Sequence, residues 1–185
     1  MKLSWPAEFV PLAFLHSRSL HGYDLHRQIS DDPVLRSIWK LGRSELYFLL
    51  KKLVRRGWIM PQATEIAQGP PRTNYTITPP GRCALGEWLA APVQSPRDLR
   101  AEFLAKVYLG RMLAAPEMPG LLRAQSEVLH QRLERLQAGA RGSGFERHVH
   151  QLRLLQTQAA LQWLAGIDAE VSADRLPTTP EGQRA

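Results

Sequence analysis

The stretch RSELYFLLKKLVRR, residues 43–56, decides the fold because its apolar residues recur at the spacing of one α-helix face. When successive residues are turned by about 100°, these apolar positions fall within an arc of about 140°. They are Leu46, Leu49, Leu50, Leu53 and Val54. This face predicts a helix that packs on a protein core, capped by Ser44 at its start and ended by Gly57.

The opposite face of the same helix carries polar, basic and aromatic side chains. It consists of Ser44, Phe48, Lys51, Lys52 and Arg55, with Tyr47 on the flank. Residues 40–56 contain six basic residues and one acidic residue, so much of the net charge of +7 is concentrated in this segment. Such a concentration suggests an anionic partner. Six phosphate contacts would give DNA binding a log–log salt slope of about −5.

The segments around this helix predict the order of the elements in the first half of the chain. Apolar spacing predicts a helix from Phe9 and a second helix in GYDLHRQISDDP, with Tyr23 in its apolar stripe and its end before Pro33. After Gly57, WIMPQATEI and TNYTIT predict a β-hairpin with the tip AQGPPR, and PPGRCALGEWLAAP predicts a fourth helix. This order predicts a winged helix-turn-helix domain over residues 1–92, whose third helix enters the DNA major groove.

The second half of the chain predicts an all-helical domain, which makes the protein mainly α. Residues 98–114, residues 117–137 and the segment from Phe145 to Trp163 show amphipathic helix patterns. Leucines at 122, 129 and 136 repeat every seven residues, a spacing that favours pairing of helices within or between subunits. We therefore expect a dimerisation and effector domain over residues 93–166 and a flexible tail over residues 167–185.

Composition bears on the chemistry and location of the protein. A single cysteine, Cys83, allows no disulfide framework within the chain, and we expect it to be buried in the fourth helix. His148 and His150 point in opposite directions on a helix and cannot share a metal ion. We find no nucleophile with a base and an orienting group. We expect a cytoplasmic protein that is not an enzyme, uses no cofactor or metal, and has no membrane partner.

Three segments together resemble the PadR family of transcriptional regulators over residues 9–90. LHGYDLHRQI is similar to the second-helix motif of that family, LYFLLKKLVRRGWI to its recognition helix, and PPRTNYTITPPGR to its wing and the turn into the fourth helix. The helical second half resembles the larger members by architecture. The resemblance implies a homodimeric repressor that binds a near-palindromic, double-stranded DNA operator and is released in many members by a small-molecule effector.

The resemblance and the basic face together give the candidate site residues. Many members have Gly-Ser-aliphatic-Tyr-Pro where this chain has residues 44–48. Tyr47 matches the tyrosine of that motif, so the resemblance implies that Tyr47 contacts DNA as the tyrosine of the family does. We expect Phe48 to contact a thymine methyl group or a sugar edge, or to pack against the wing. The predicted DNA contacts are Arg43, Ser44, Tyr47, Phe48, Lys51, Lys52, Arg55, Arg72, Thr73, Asn74 and Tyr75. The predicted effector contacts are Phe103, Tyr108 and Trp163.

Two other classes of function remain compatible with the sequence. An adaptor protein would use the same basic helix to bind an acidic protein partner. A helical enzyme would need a polar catalytic cluster within residues 98–165, where we find none. Sequence-dependent binding to a DNA duplex would separate a regulator from both alternatives.

Overall fold

The computed structural model describes residues 6–64, 72–139 and 142–173. The chain forms two compact units, Met1–Leu121 and Leu122–Ala185. The elements are α1 (Phe9–Phe14), β1 (Leu20–His21), α2 (Gly22–Asp31), α3 (Pro33–Ile38), α4 (Arg43–Arg55), β2 (Ile59–Thr64), β3 (Arg72–Ile77), α5 (Pro79–Ala90), a 3₁₀ turn (Asp98–Arg100), α6 (Glu102–Met112), α7 (Met118–Ala138) and α8 (Phe145–Ala173).

Helix α4 is the helix predicted from residues 43–56, and its apolar face forms the centre of the first unit. Leu46, Leu49, Leu50 and Leu53 are each at most 1% exposed, whereas Val54 is half-buried. The helix is preceded by Gly42, and the Glu45 carboxylate accepts the Gly42 N–H at 3.5 Å. The predicted Ser44 cap is therefore wrong, because Ser44 already lies inside the first helical turn.

The C-terminal end of α4 is fixed by a backbone turn at Gly57, as predicted. Gly57 has a φ of +69°. The Trp58 N–H donates to the Leu53 carbonyl at 3.0 Å, and the Gly57 N–H donates to the Val54 carbonyl at 2.9 Å. These two bonds form a Schellman motif, which requires a left-handed residue at this position and directs the chain into β2.

Between α2 and α4 the structure contains a helix that the sequence pattern did not predict. Pro33 ends α2 as expected, but it is also the first residue of α3. Asp32 Oδ1 accepts the Leu35 N–H at 2.8 Å and caps this short helix. Proline suits the first position of a helix because its missing N–H needs no partner there.

The predicted hairpin is confirmed, and a third short strand extends it. Strands β2 and β3 pair in antiparallel register, with Ile59 opposite Ile77 and Gln62 opposite Asn74. Strand β1 pairs with the other side of β3, so the order is β1-β3-β2. Pro61 lies in β2, an edge strand of this sheet, where a missing N–H costs no ladder bond. The predicted tip of the wing lies outside the described residues, except for Arg72.

Two clusters hold the helices of the first unit together. The Phe9 ring stacks on Trp88 of α5, with centroids 4.8 Å apart, and contacts Trp58 at 5.5 Å. Lys106 of α6 is 2% exposed; its Nζ donates to the Ala91 carbonyl at 2.6 Å and lies 3.2 Å from Glu102. Burial lowers the pKa of Lys106, while Glu102 opposes that shift.

The first unit reaches Leu121 and therefore includes α6. The predicted domain boundary at residue 93 stays a prediction.

The second unit contains most of α7 and all of α8. Leu129 and Leu164 are each 3% exposed, and the His150 imidazole lies 2.7 Å from the Leu136 carbonyl, which joins the two helices. Helix α8 continues to Ala173, so it includes the first seven residues of the predicted tail, 167–173. Residues 174–185 of that predicted tail lie outside the described residues.

Cys83 lies in α5 as a free thiol. Cys83 is exposed, so the prediction that it is buried is wrong. A hydrogen bond to Glu87 raises the pKa of its thiol, which disfavours the reactive thiolate. Within the described residues, no helix has the length and apolar character needed to cross a bilayer.

We expect Gly57→Ala to lower the free energy of unfolding by about 1–2 kcal/mol, because a Cβ destabilises the left-handed conformation. A Cβ at this position would meet no atom within 4 Å, so the effect reports backbone strain alone. Urea denaturation measures it. The control is Gly120→Ala, a helical position that is equally open. Equal stability changes in the two variants would contradict the role of the turn.

Candidate nucleic-acid interface

The exposed face of α4 forms the candidate interface. Four of its side chains follow one another at helical spacing and are exposed: Ser44, Phe48, Lys51 and Arg55. The Phe48 ring is 59% exposed, although phenylalanine is normally buried. The buried leucines on the other side fix this orientation, so the predicted division of α4 into two faces is confirmed.

Tyr47 lies at the junction of α4, α2 and the wing. A Cβ built on Gly22 at the start of α2 would lie 3.2 Å from the Tyr47 ring, so the ring packs closely on that glycine. Burial, followed by the proximity of Tyr47, raises the pKa of Tyr75 in β3. The Tyr47 ring is 37% exposed. Tyr47 therefore both joins the elements and presents part of its surface on the candidate interface.

Tyr23, in the first turn of α2, is a second exposed aromatic residue near the start of α4, and the sequence pattern wrongly predicted that it faces the core. We expected Tyr23 in the apolar stripe of α2, but the structure leaves it 49% exposed. The Arg43 guanidinium lies 5.4 Å from the centroid of the Tyr23 ring, which is a cation–π geometry.

Two basic side chains at the C-terminal end of α4 are engaged within the protein. Lys52 Nζ lies 2.7 Å from Glu8 Oε1, and the Arg56 guanidinium lies 3.1 Å from the same oxygen. Glu8 is 5% exposed and directly precedes α1. Arg56 also lies 4.7 Å from the centroid of the Trp58 ring. The sequence pattern placed Lys52 on the solvent face, and the structure pairs it with an acid 44 residues earlier.

The wing residues predicted to bind DNA occupy β3. Thr73, Asn74 and Tyr75 are half-buried in that strand. Asn74 pairs with His21 of β1 and with Gln62 of β2, so it lies in the middle of the sheet. The backbone of Arg72 lies in the same strand, and its side chain is outside the described residues.

The positive charge of the candidate interface comes from exposed basic side chains of α4 that form no ion pair among the described residues. Within the described ranges, neither Lys51 nor Arg55 forms an ion pair, and both are exposed. At about 100° per residue, Lys51 and Arg55 lie about 60° and about 20° from the exposed Phe48 around the helix axis, both on the same side of it. A surface with exposed cations around an aromatic and a hydroxyl group can bind phosphates and contact base edges.

A cavity of about 570 Å³ lies in the first unit, between α3 and α6. It is lined by Val34, Ser37, Ile38, Leu104, Val107, Tyr108, Arg111 and Met112. Tyr108 donates from its hydroxyl to Asp32 Oδ2, and burial followed by this bond raises its pKa to about 12. Of the predicted effector contacts, Tyr108 lines this cavity. Phe103 is fully buried on α6, and Trp163 belongs to the second unit.

Comparison with known proteins finds a family model and several relatives that are similar to this chain. Residues 12–87 match the model of the transcriptional regulator PadR-like family. The negative transcriptional regulator PadR of Bacillus subtilis (strain 168) is 28% identical over 130 residues, which cover 70% of each chain. The solved structure of Bacillus subtilis PadR with operator DNA is 26% identical, has a TM-score of 0.45, and matches 89% of this chain and 98% of that one. Its complex with p-coumaric acid is 25% identical, has a TM-score of 0.42, and matches 90% and 98%.

We expect Tyr108→Phe to lower the free energy of unfolding by about 1–2 kcal/mol at about pH 8, because Asp32 loses a hydrogen-bond donor. The raised pKa means that the folded state holds this proton more tightly than the unfolded chain. The contribution is therefore complete below about pH 10 and declines towards pH 12. Urea denaturation at about pH 8 and pH 11 should show a smaller difference at the higher pH.

The matched control for this change is Tyr23→Phe, since Tyr23 is exposed and its ring is retained. Its effect should stay within about 0.5 kcal/mol at both pH values. A Tyr108→Phe effect of equal size at both pH values would contradict the assigned bond to Asp32.

Proposed function

We propose that the chain is a member of the PadR-like family of transcriptional regulators, which its residues 12–87 match, and that it is a homodimeric repressor of transcription. It binds near-palindromic operator DNA through α4 and the wing. One observation carries the proposal: the leucine face of α4 is buried, while its basic face is exposed beside a β-hairpin. The name of the Bacillus subtilis relative, a negative regulator, supports repression.

The proposed contacts divide by chemistry. Ser44, Tyr47 and Phe48 lie near the middle or N-terminal part of α4 and would approach base edges in the major groove, and Lys51 lies beside them with its ammonium group on a phosphate. Lys52, which we also predicted on phosphates, is paired with Glu8. The other predicted residues would bind phosphates or the backbone: Arg43, Arg55, Arg72, Thr73, Asn74 and Tyr75. Phosphate contacts supply affinity for any sequence, whereas contacts to base edges supply the preference for an operator.

Dimerisation is supported by an exposed apolar face on α8. Phe145, Leu152, Leu155 and Trp163 are 80%, 55%, 56% and 39% exposed. At about 100° per residue they fall on one side of the helix. A second copy of the chain with two-fold symmetry would cover this face and place two α4 helices on two operator half-sites.

Regulation by a small molecule is supported by the cavity between α3 and α6. Its volume of about 570 Å³ lies within the range of small-molecule sites, about 300–1,000 Å³. Tyr108 connects this cavity to Asp32, which caps α3. An effector that displaced Tyr108 would therefore act directly on the helices before α4. Phe103 would act through the packing of α6, and a role for Trp163 stays a prediction.

We expect Lys51→Ala to weaken operator binding more than twofold and to reduce the log–log salt slope by about 0.9 for each bound subunit, because each subunit loses one phosphate contact. The measurement is fluorescence anisotropy of a duplex from upstream of the protein's own coding region, over about 50–200 mM KCl. A scrambled duplex of equal length tests sequence preference.

The control for this change is Arg147→Ala, which removes the same charge from an exposed position in the second unit. It should leave the salt slope unchanged. Operator affinity within twofold of the wild type in Lys51→Ala would contradict the proposed orientation of α4. Equal affinity for the operator and the scrambled duplex would contradict sequence-specific regulation and favour an adaptor.

We expect Leu152→Glu to shift the protein from dimer towards monomer, because a buried, unpaired carboxylate destabilises an apolar interface. Size-exclusion chromatography with light scattering measures the mass. Gln158→Glu is the control, since it adds the same charge at an exposed position on another side of α8. A dimer of unchanged stability in Leu152→Glu would move the interface away from this face.

A further inference from the structure

Glu8 is an unusual acid because a single carboxylate oxygen accepts two cations from α4. Its side chain is buried, with Oε1 2.7 Å from Lys52 Nζ and 3.1 Å from Arg56. Lys52 and Arg56 themselves keep 31% and 43% of their side-chain surface exposed. The acid is therefore held in place by the core, while the two cations remain at the protein surface.

The positions of the two cations place them at the border of the exposed face of α4. Lys52 lies one turn after Phe48, displaced from it by about 40° around the helix axis. Arg56 follows Lys52 by one further turn. Both side chains are long enough to reach past the edge of the helix, so without Glu8 they could turn towards a ligand on that face.

We propose that Glu8 keeps Lys52 and Arg56 in ion pairs with its own carboxylate, so that these two cations do not bind DNA phosphates. Glu8 thereby lowers the sequence-independent affinity of this protein for DNA. Carboxylate and phosphate oxygens accept hydrogen bonds from ammonium and guanidinium groups in the same way, so they compete for the same donors. The inference rests on the proposed DNA-binding function. Glu8 is a positioning residue in this scheme, since it acts through the two cations and does not contact DNA.

A purely structural ion pair makes a different prediction about salt. If Glu8 does no more than hold α1 to α4, its removal changes stability and leaves the number of phosphate contacts unchanged. If Glu8 keeps Lys52 and Arg56 away from DNA, its removal adds phosphate contacts, and each added contact steepens the log–log salt slope by about 0.9. The slope therefore separates the two roles, even where stability changes in both.

The test is Glu8→Gln, which removes the charge while keeping the volume of the side chain. We expect the salt slope on a non-operator duplex to become steeper by about 0.9–1.8 for each bound subunit. The affinity ratio of variant to wild type should then rise by about 3-fold to 12-fold for each bound subunit as KCl falls from about 200 to 50 mM. Circular dichroism confirms folding. Glu134→Gln, which makes the same charge change at an exposed position of α7, should leave the slope unchanged.

Two further variants keep the inference falsifiable if Glu8→Gln is poorly folded. In the wild-type background Lys52→Gln should leave the salt slope unchanged, while the neighbouring Lys51→Gln reduces it by about 0.9. In the Glu8→Gln background, Lys52→Gln should reverse part of the steeper slope. A loss of slope in Lys52→Gln equal to that in Lys51→Gln would overturn the inference.

The outcomes also separate this inference from the proposed function. A wild-type protein that binds no duplex at about 50 mM KCl would overturn both. A wild-type protein that prefers its operator, together with a Glu8→Gln slope like that of Glu134→Gln, would overturn the role of Glu8 alone. A steeper slope in Glu8→Gln that is reversed by Lys52→Gln supports the role of Glu8.

Discussion

Burial of the leucine face of α4 is the constraint on which the rest of the first unit depends. Four leucines at most 1% exposed leave one rotational setting of the helix about its axis. A rotation that exposed one of them would cost about 1.5–3 kcal/mol of hydrophobic stabilisation for that side chain. The polar face is thus held outward by the core, and its side chains can be specialised for binding without contributing to packing.

Features that depend on local periodicity could be predicted from the sequence, and features that depend on distant partners could not. The leucine spacing and Gly57 predicted the faces and the end of α4, because both are properties of the helix itself. The two-residue strand β1 could not be predicted, because it pairs with residues of β3 that are more than 50 positions later in the sequence. Helix α3 was missed because Pro33 ends one helix and begins the next.

The same distinction applies to the candidate site. Periodicity placed Lys52 on the polar side of α4, but Glu8 is separated from it by 44 residues, and no local pattern indicates that they meet. Asp32 is a comparable case, since one oxygen caps α3 and the other accepts the Tyr108 hydroxyl from α6. Both carboxylates connect elements that are remote in sequence. These two carboxylates fix the positions of the helices around α4. The residue types within α4 give no indication of those contacts.

The number of basic residues in a helix is therefore an upper limit on its phosphate contacts. Six basic residues within residues 40–56 suggested a salt slope of about −5. In the structure Arg43 lies over Tyr23, and Lys52 and Arg56 share Glu8, while Lys51 and Arg55 are exposed without an ion pair among the described residues. Three proposed contacts from α4, those of Arg43, Lys51 and Arg55, correspond to a slope of about −2.7 for each subunit. A weaker electrostatic contribution would give the proposed base-edge contacts of Ser44, Tyr47 and Phe48 a larger share of the binding energy, which favours discrimination between sequences.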